Sequence, residues 1–342
     1  MMVARNPGPT RGSIASLQVS APGKLLLSGE YSVVLGRAAV VLAVDRRAVA
    51  RLPARPGIPS SRLTRAAAQL VGEELNCAPV ASELTGTAMP PSVDSGPLYH
   101  DQQKLGMGSS AAAAVSTVGA LLAASGERLD TAAGQRRVFR LSRAAQAAAQ
   151  GKAGSGVDVA ASVYGGLLLF RRRDDPRQPP EVNVLPLDGL PEMSVIWTGR
   201  PVTTPERVAA FLRWYRATPT GATRLLDQVG RAAEAFAEAV TQRDTNEAVQ
   251  AYRHCAEIYV ALDQAAGLQA TDDELMRLSL IAARHGGACK PSGAGAGDLA
   301  VALFAEQENR LAFERTLSSL DIRALDVAPC EVGVCAHRGG NQ

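Results

Sequence analysis

Lysine is scarce in this chain, and its positions point to chemistry. Of 36 basic residues only four are lysines, Lys24, Lys104, Lys152 and Lys290; the other 32 are arginines. All four stand in or beside glycine- and serine-rich stretches: APGKLLLSGE, KLGMGSSAAAA, QGKAGSGVD and CKPSGAGAGD. An ammonium is a compact point charge on a flexible stem, whereas a guanidinium is a rigid planar fork. Lysines kept in an arginine-rich chain therefore mark places where the fork does not serve. The alternative is a composition that favours arginine, with four lysines left over.

The segment Lys104–Ala111 is the clearest of these. Gly106 and Gly108 break the preceding structure, and the alanine run after them predicts a helix over 108–124, capped by Ser109 and Ser110. A helix start presents unpaired N–H groups and the positive end of the dipole, which together attract phosphate. The Ser109 and Ser110 hydroxyls can bind phosphate oxygens or Mg²⁺, and Lys104 adds a full charge. This is no Walker A loop, because GxxxxGK[ST] is absent. Gly106, Gly108 and Ala111 do match a GxGxxA dinucleotide fingerprint, but that motif follows an apolar strand, and Tyr-His-Asp-Gln-Gln-Lys stands here instead. A well-capped core helix is the plainer alternative.

Three further stretches carry polar groups on glycine turns. In Lys290-Pro-Ser-Gly-Ala-Gly-Ala-Gly-Asp298, glycines at alternate positions allow close approach to a ligand, or simply a flexible turn. Lys24 follows the Pro22-Gly23 turn, where it can project between strands or merely face solvent. Asp158 follows the turn 151–156 and either points into a cleft or caps the helical turn after it.

The elements that must position these groups alternate along the chain. Short apolar runs predict strands at Leu17–Ser20, Leu25–Ser28 and Ala38–Val44, separated by Pro22-Gly23 and Gly36. Helical spacing covers Arg62–Leu75 and Ala132–Gln150, the latter ended by Gly151; 79–101 reads as irregular strands and loop. A helical turn from Val159 and the strand Leu167–Phe170 flank Gly165-Gly166. The charged, proline-rich Arg171–Pro180 is the expected inter-domain linker. Beyond it come a strand at Ser194–Trp197 and long amphipathic helices at about 224–241 and 245–264. A capping box at Thr271–Glu274 starts another helix, which ends at Gly286-Gly287 before the strand Leu299–Phe304. The class is α+β.

Length and composition narrow the function. At 342 residues and 46% hydrophobic content, two domains with real cores are expected: a flexible tail 1–16, a first half 17–180 and a second half 181–342. A net charge of +3 with scattered arginines gives no nucleic-acid footprint. Five cysteines without CxxC spacing favour neither a disulfide scaffold nor zinc. The apolar run Ala111–Ala124 is broken by Ser116, Thr117 and Gly119, so no membrane span is expected. The first 24 residues lack the apolar block of a secretory signal. A cytoplasmic protein is expected.

Taken in order, APGKLLLSGEYSV, KLGMGSSAAAAV and KPSGAGAGD resemble the three signature motifs of the GHMP small-molecule kinases, and they span positions 21 to 303. The resemblance implies a ribosomal S5-like N-terminal domain, a ferredoxin-like C-terminal domain, and ATP with Mg²⁺. Carried over, Gly106, Gly108, Ser109, Ser110 and Ala111 cradle the triphosphate with Lys104 beside them, and Ser110 is the Mg²⁺ ligand. Lys24 and Asp158 match the family's catalytic lysine and aspartate. Ser155, Ser292, Gly293, Ala294 and Gly295 belong to the substrate side, and Lys152 and Arg200 are candidates for the acceptor's own phosphate. AQGKAGSGVDVAASVYGG, WTGRPVTT and the final aspartate of KPSGAGAGD are similar to the phosphomevalonate kinase branch, which implies phosphorylation of phosphomevalonate. Mevalonate kinase, a related decarboxylase and a non-catalytic nucleotide-binding relative are the alternatives. One departure stands out. Mevalonate kinases place a Mg²⁺-binding glutamate about eleven or twelve residues before the aspartate, where this chain reads Gln146-Ala-Ala-Ala-Gln150. Oligomeric state is left open, with a homodimer as one option.

Overall fold

The computed structural model describes residues 16–55, 57, 60–76, 90–151, 154–173, 178–199, 204–295, 297 and 299–338. Strand β1 (Leu17–Ser28) runs straight through Pro22-Gly23, where a turn between two short strands was expected. Its ladder with β2 (Ala39–Leu52) shifts register between Pro22 and Gly23, so the dipeptide is a bulge. The reason lies across the strand. A Cβ on Gly23 would fall 2.8 Å from the Met107 carbonyl oxygen and 2.6 Å from Leu98 Cδ2, so only glycine lets β1 approach that loop. In β2, Ala39–Val44 is an unbroken buried apolar run, the pattern of a strand covered on both faces.

The chain continues through α1 (Arg62–Glu74), β3 (Ser92–Asp94), the small hairpin of β4 (Tyr99–His100) and β5 (Gln103–Lys104), then α2 (Ser109–Ala124), α3 (Ala132–Gln150) and α4 (Val157–Tyr164). After β6 (Leu167–Arg171), β7 (Glu181–Leu185) and β8 (Glu192–Trp197) come α5 (Thr204–Ala217), α6 (Pro219–Gln242), α7 (Thr245–Ala266) and α8 (Asp273–Arg284). Strands β9 (Ala288–Pro291) and β10 (Leu299–Phe304), helix α9 (Gln307–Ser318), and strands β11 (Ala324–Leu325) and β12 (Cys335–Arg338) complete the described chain. One antiparallel sheet has the order β12-β1-β2-β6-β7, with β3 also on β2. The second is antiparallel in the order β11-β8-β10-β9. Its run of strand, helices, two strands, helix and strand is the split βαβ plan, so the ferredoxin-like expectation holds for this half.

Of the expected inter-domain linker 171–180, residues 174–177 lie outside the described residues. The segment joins β6 to β7, neighbours in one sheet, and β12 returns from the far end to pair with β1. The expected division at residue 180 therefore falls inside the first sheet. Helix α8 is capped by Asp272, which accepts from the Leu275 N–H at 2.9 Å, rather than by Thr271. Strands β7, β9 and β12 and helices α5 and α9 had no counterpart in the sequence reading. All three strands are five residues or fewer, too short to show a period.

Apolar layers hold the two sheets together. One face of the first sheet packs Val19, Val41 and Ala43 against α1 to α4. Its other face, with Leu25, Leu27 and Leu42, meets Phe236 of α6 and Tyr252 of α7, which also touch Val301 and Leu303 of the second sheet. The far side of that sheet is closed by Leu278 of α8 and Phe313 of α9. Helices α6 and α7 thus lie between the sheets and fix their spacing.

Candidate active site

Lys24 sits on β1 just beyond the bulge. Its backbone N–H donates to the Met107 carbonyl at 2.9 Å, and its Nζ donates to the Gly106 carbonyl at 3.2 Å. The stem lies along Gly108, where a Cβ would come within 3.1 Å of Lys24 Cγ. The first lysine motif and the glycine–serine loop are therefore one unit. Gly108, not a serine, is the N-cap of α2: its φ is 73° and no side chain bonds the first turn. Ser109 and Ser110 lie inside that turn, which leaves the first amides to an incoming anion.

The last turn of α3 ties this helix start to Asp158. Gln150 Nε2 donates to Ser110 Oγ at 3.3 Å, and Gln146 Nε2 lies 3.5 Å from Asp158 Oδ2. These glutamines, four apart, share one helix face. Asp158 stands in the first turn of α4, whose N-cap Gly156 also has a left-handed φ of 86° and no side-chain cap. Its Oδ1 accepts the Val159 N–H at 2.9 Å. A carboxylate in a first turn is stabilised by the dipole. Two uncapped helix starts, an ammonium, a serine hydroxyl and a carboxylate thus converge.

The third glycine loop is docked onto β1 from the second sheet. Ser292 Oγ accepts the Leu26 N–H at 2.8 Å, and the Tyr31 hydroxyl donates to the Ala294 carbonyl at 2.6 Å. Burial pushes the Tyr31 hydroxyl well above its ordinary range, so it remains a donor. Gly295 has φ +74°, and a Cβ there would lie 2.1 Å from Tyr259 Oη and 2.5 Å from the Ala270 carbonyl. Beneath the loop, Lys290 is 1% exposed; it pairs with Glu30 and donates to the carbonyls of Leu27 at 3.1 Å and Pro291 at 2.9 Å. Those three bonds use every proton an ammonium has. Tyr252 and Tyr259 place their rings 5.6 Å from it.

The structure places three of the four lysines. Lys24 joins the loop; Lys290 is a buried strut between motifs; Lys104 stands exposed on β5, two residues before Gly106; Lys152 lies outside the described residues, as do Arg200 and Asp298. Ser155 Oγ accepts the Val157 N–H at 3.4 Å and so shapes the turn before Asp158. Gly293 has open space around it, φ +106°, whereas Ala111 is fully buried behind the helix start. Glu30, Tyr31, Tyr259 and Gln150 were not singled out from sequence. Glu30 and Tyr31 stand within the first motif, and Gln150 lies one turn from Gln146. The buried thiols of Cys255 and Cys289 are pushed up to about 11 and about 12 by burial, which keeps them protonated and unreactive.

Known proteins resemble this chain in sequence and in fold. Residues 62–166 match the N-terminal domain of the GHMP kinases. The chain is 29% identical to a Streptomyces phosphomevalonate kinase, covering 85% of this chain and 90% of the relative. It is 28% identical to the mevalonate kinase of Pyrococcus abyssi, over 86% and 90%. The fold is that of the Streptococcus pneumoniae phosphomevalonate kinase solved with phosphomevalonate and AMPPNP, with a TM-score of 0.74, 20% identity, and coverage of 91% and 99%.

Proposed function

We propose that this chain, a small-molecule kinase with the GHMP kinase N-terminal domain and fold, uses ATP to phosphorylate phosphomevalonate to diphosphomevalonate. The observation that carries the reading is the convergence of Lys24, Ser110 and Asp158 on the two uncapped helix starts. The similarity to a phosphomevalonate kinase along 85% of the chain supports the choice of acceptor.

Phosphoryl transfer asks the protein mainly for position and charge. The amides of the α2 first turn hold donor phosphate oxygens, and Lys24, anchored on Gly106, carries its positive charge to the transferring group. A serine hydroxyl beside one carboxylate is the sparse oxygen set that suits Mg²⁺ riding on phosphates, and among the described residues no richer His, Cys, Asp or Glu cluster exists. Ser110 would hold the ion, with Asp158 beside it. When bound, Mg²⁺ supplies neutralisation of phosphate charge. A phosphate-monoester acceptor has its second pKa near 6, so at neutral pH it is largely ionised and needs no base. Asp158 then orients neighbouring groups instead of removing a proton. Gln146, neutral beside Asp158, keeps a second negative charge away from such an acceptor.

Mevalonate kinase is the second reading, favoured by the nearly equal similarity to the Pyrococcus enzyme. A coupled ATP assay with phosphomevalonate, mevalonate, homoserine and galactose separates them. We expect kcat/KM for phosphomevalonate to exceed the others at least a hundredfold. A preference for mevalonate would transfer the assignment, and no turnover with any acceptor would leave a binding protein.

A further inference from the structure

The β12 edge of the first sheet gathers two thiols around one guanidinium. Arg47 of β2 stands opposite Pro22 in the bulge; its Nη1 donates to Cys330 Sγ at 3.2 Å and its Nη2 to Cys335 Sγ at 3.3 Å. Its other hydrogen bonds go to Ser20 Oγ and to the carbonyls of Ser20, Val332 and Gly333. Among the described residues no carboxylate pairs with this cation. The one anion the cluster can itself supply is a thiolate, the form of sulfur that attacks peroxides and disulfides. Cys335 lies opposite Ser20 in the β1–β12 ladder, and His337, two residues on, shares its face. His337 Nε2 is 3.2 Å from Cys335 Sγ and 3.4 Å from Ser20 Oγ. Both thiols are partly exposed, whereas Cys255 and Cys289 are buried. The backbone that displays them is pinned at both ends. The Cys330 N–H donates to the Ala43 carbonyl at 2.9 Å, its carbonyl accepts the Gly166 N–H at 2.8 Å, and the Val334 N–H donates to the Val163 carbonyl at 3.1 Å.

We propose that Cys330 and Cys335 form a dithiol modification site whose substrate is a hydroperoxide and whose product is a reversible disulfide between them. Cys335, with the imidazole beside it, is the attacking sulfur. It gives its proton to His337 Nε2 and attacks one peroxide oxygen; the O–O bond breaks, the departing oxygen takes up that proton and, from hydrogen peroxide, leaves as water, and a sulfenic acid remains on Cys335. The Cys330 sulfur then attacks the Cys335 sulfur, the S–O bond breaks, and the hydroxide leaves as a second water with the Cys330 proton. Two thiols are oxidised by two electrons and the peroxide is reduced to two waters. Arg47 is a positioning residue: each terminal nitrogen of its rigid fork holds one sulfur, which the single ammonium of a lysine does not reproduce. A partly exposed disulfide of this kind is the labile class that thiols reduce again.

Hydrogen peroxide added to the reduced full chain, followed by alkylation and tryptic mapping, tests this, because both cysteines fall in the peptide Ala324–Arg338. That peptide should become lighter by two hydrogens and escape alkylation, then regain both alkylation sites on reduction. Cys255 and Cys289 should stay alkylatable after denaturation. In Cys330→Ser the reaction should stop at a sulfenic acid on Cys335, captured by dimedone. In Cys335→Ser, Cys330 should react at least tenfold more slowly than Cys335 does in Cys330→Ser. Arg47→Gln should slow disulfide closure at least tenfold, and Arg47→Lys by less. His337→Gln, at an exposed position, removes only the base and should slow the first step about tenfold, which keeps the test open if the Arg47 variants do not fold. Oxidation of Cys330 and Cys335 no faster than that of the buried pair overturns the proposal. So do equal rates in wild type, Arg47→Gln and His337→Gln, and so does a link from either cysteine to Cys77 or to a second chain.

Discussion

At the level of single residues, Asp158 and Lys290 make opposite predictions. If Asp158 orients rather than abstracts, Asp158→Asn lowers kcat/KM, yet the pH profile between 5 and 8 keeps its shape. Both enzymes should show one acid limb near pH 6, set by the acceptor phosphate. A general base contributes about 10²–10⁴-fold and imposes its own limb, so a limb lost only in the variant would refute the orienting role. Lys290 acts on stability. Removing one partner of a buried pair leaves the other charged and unpaired, a loss of about 3–5 kcal/mol. Lys290→Met should therefore lower the denaturation midpoint sharply, and Lys290→Met/Glu30→Leu should recover much of the loss. The chain displayed Lys24, Ser110 and Asp158 openly, because each sits in a local motif. It displayed Lys290 equally openly but not its role. Burial against Glu30, 260 residues away in sequence, is visible only once the strands are folded.

At the level of elements, the loops matter through their clamps. Gly295→Ala places a methyl against Tyr259 Oη and the Ala270 carbonyl, in a left-handed conformation that costs about 1–2 kcal/mol for other residues. We expect reduced activity, with partial rescue by Tyr259→Phe, since the collision with Tyr259 Oη is then relieved; no rescue would mean that the contacts with Ala270 and the backbone decide. Helix α3 offers a second measurement. Its Arg140 and Arg137 hold Glu74 of α1, and the hydrogen bond from Arg140 is the main cause of a carboxyl lowered from its usual 4.5. A lowered folded pKa stabilises above the unfolded value and fades as pH falls through the folded one. Glu74→Gln should thus be less stable than wild type at pH 7 and approach it below pH ~4 in matched urea titrations. Helices α2, α3 and α8 were legible because alanine runs, glycine stops and caps are local signals. The bulge at Pro22-Gly23 was not, since its cause is the Met107 carbonyl on another element.

At the level of the whole molecule, the C-terminal strand closes the sheet that carries Lys24. Strand β12 pairs with Leu17–Ser20, and Arg47 reaches the Gly333 carbonyl at 2.6 Å. A chain ended after Val334 should lose thermal stability, with hydrogen exchange rising first at the edge of β1; unchanged protection there would show that β12 is dispensable. The sequence by itself determined the chemistry available: four glycine-rich stretches, a lysine in or beside each, and the α+β alternation, all encoded within ten or so neighbouring residues. Only the tertiary structure decided which lysine joins the glycine–serine loop and which becomes a strut. It also decided where 171–180 leads and how two glutamines bridge Ser110 and Asp158. Local propensity is settled by bonded neighbours, whereas charge, burial and close approach depend on groups that meet only when distant strands pair.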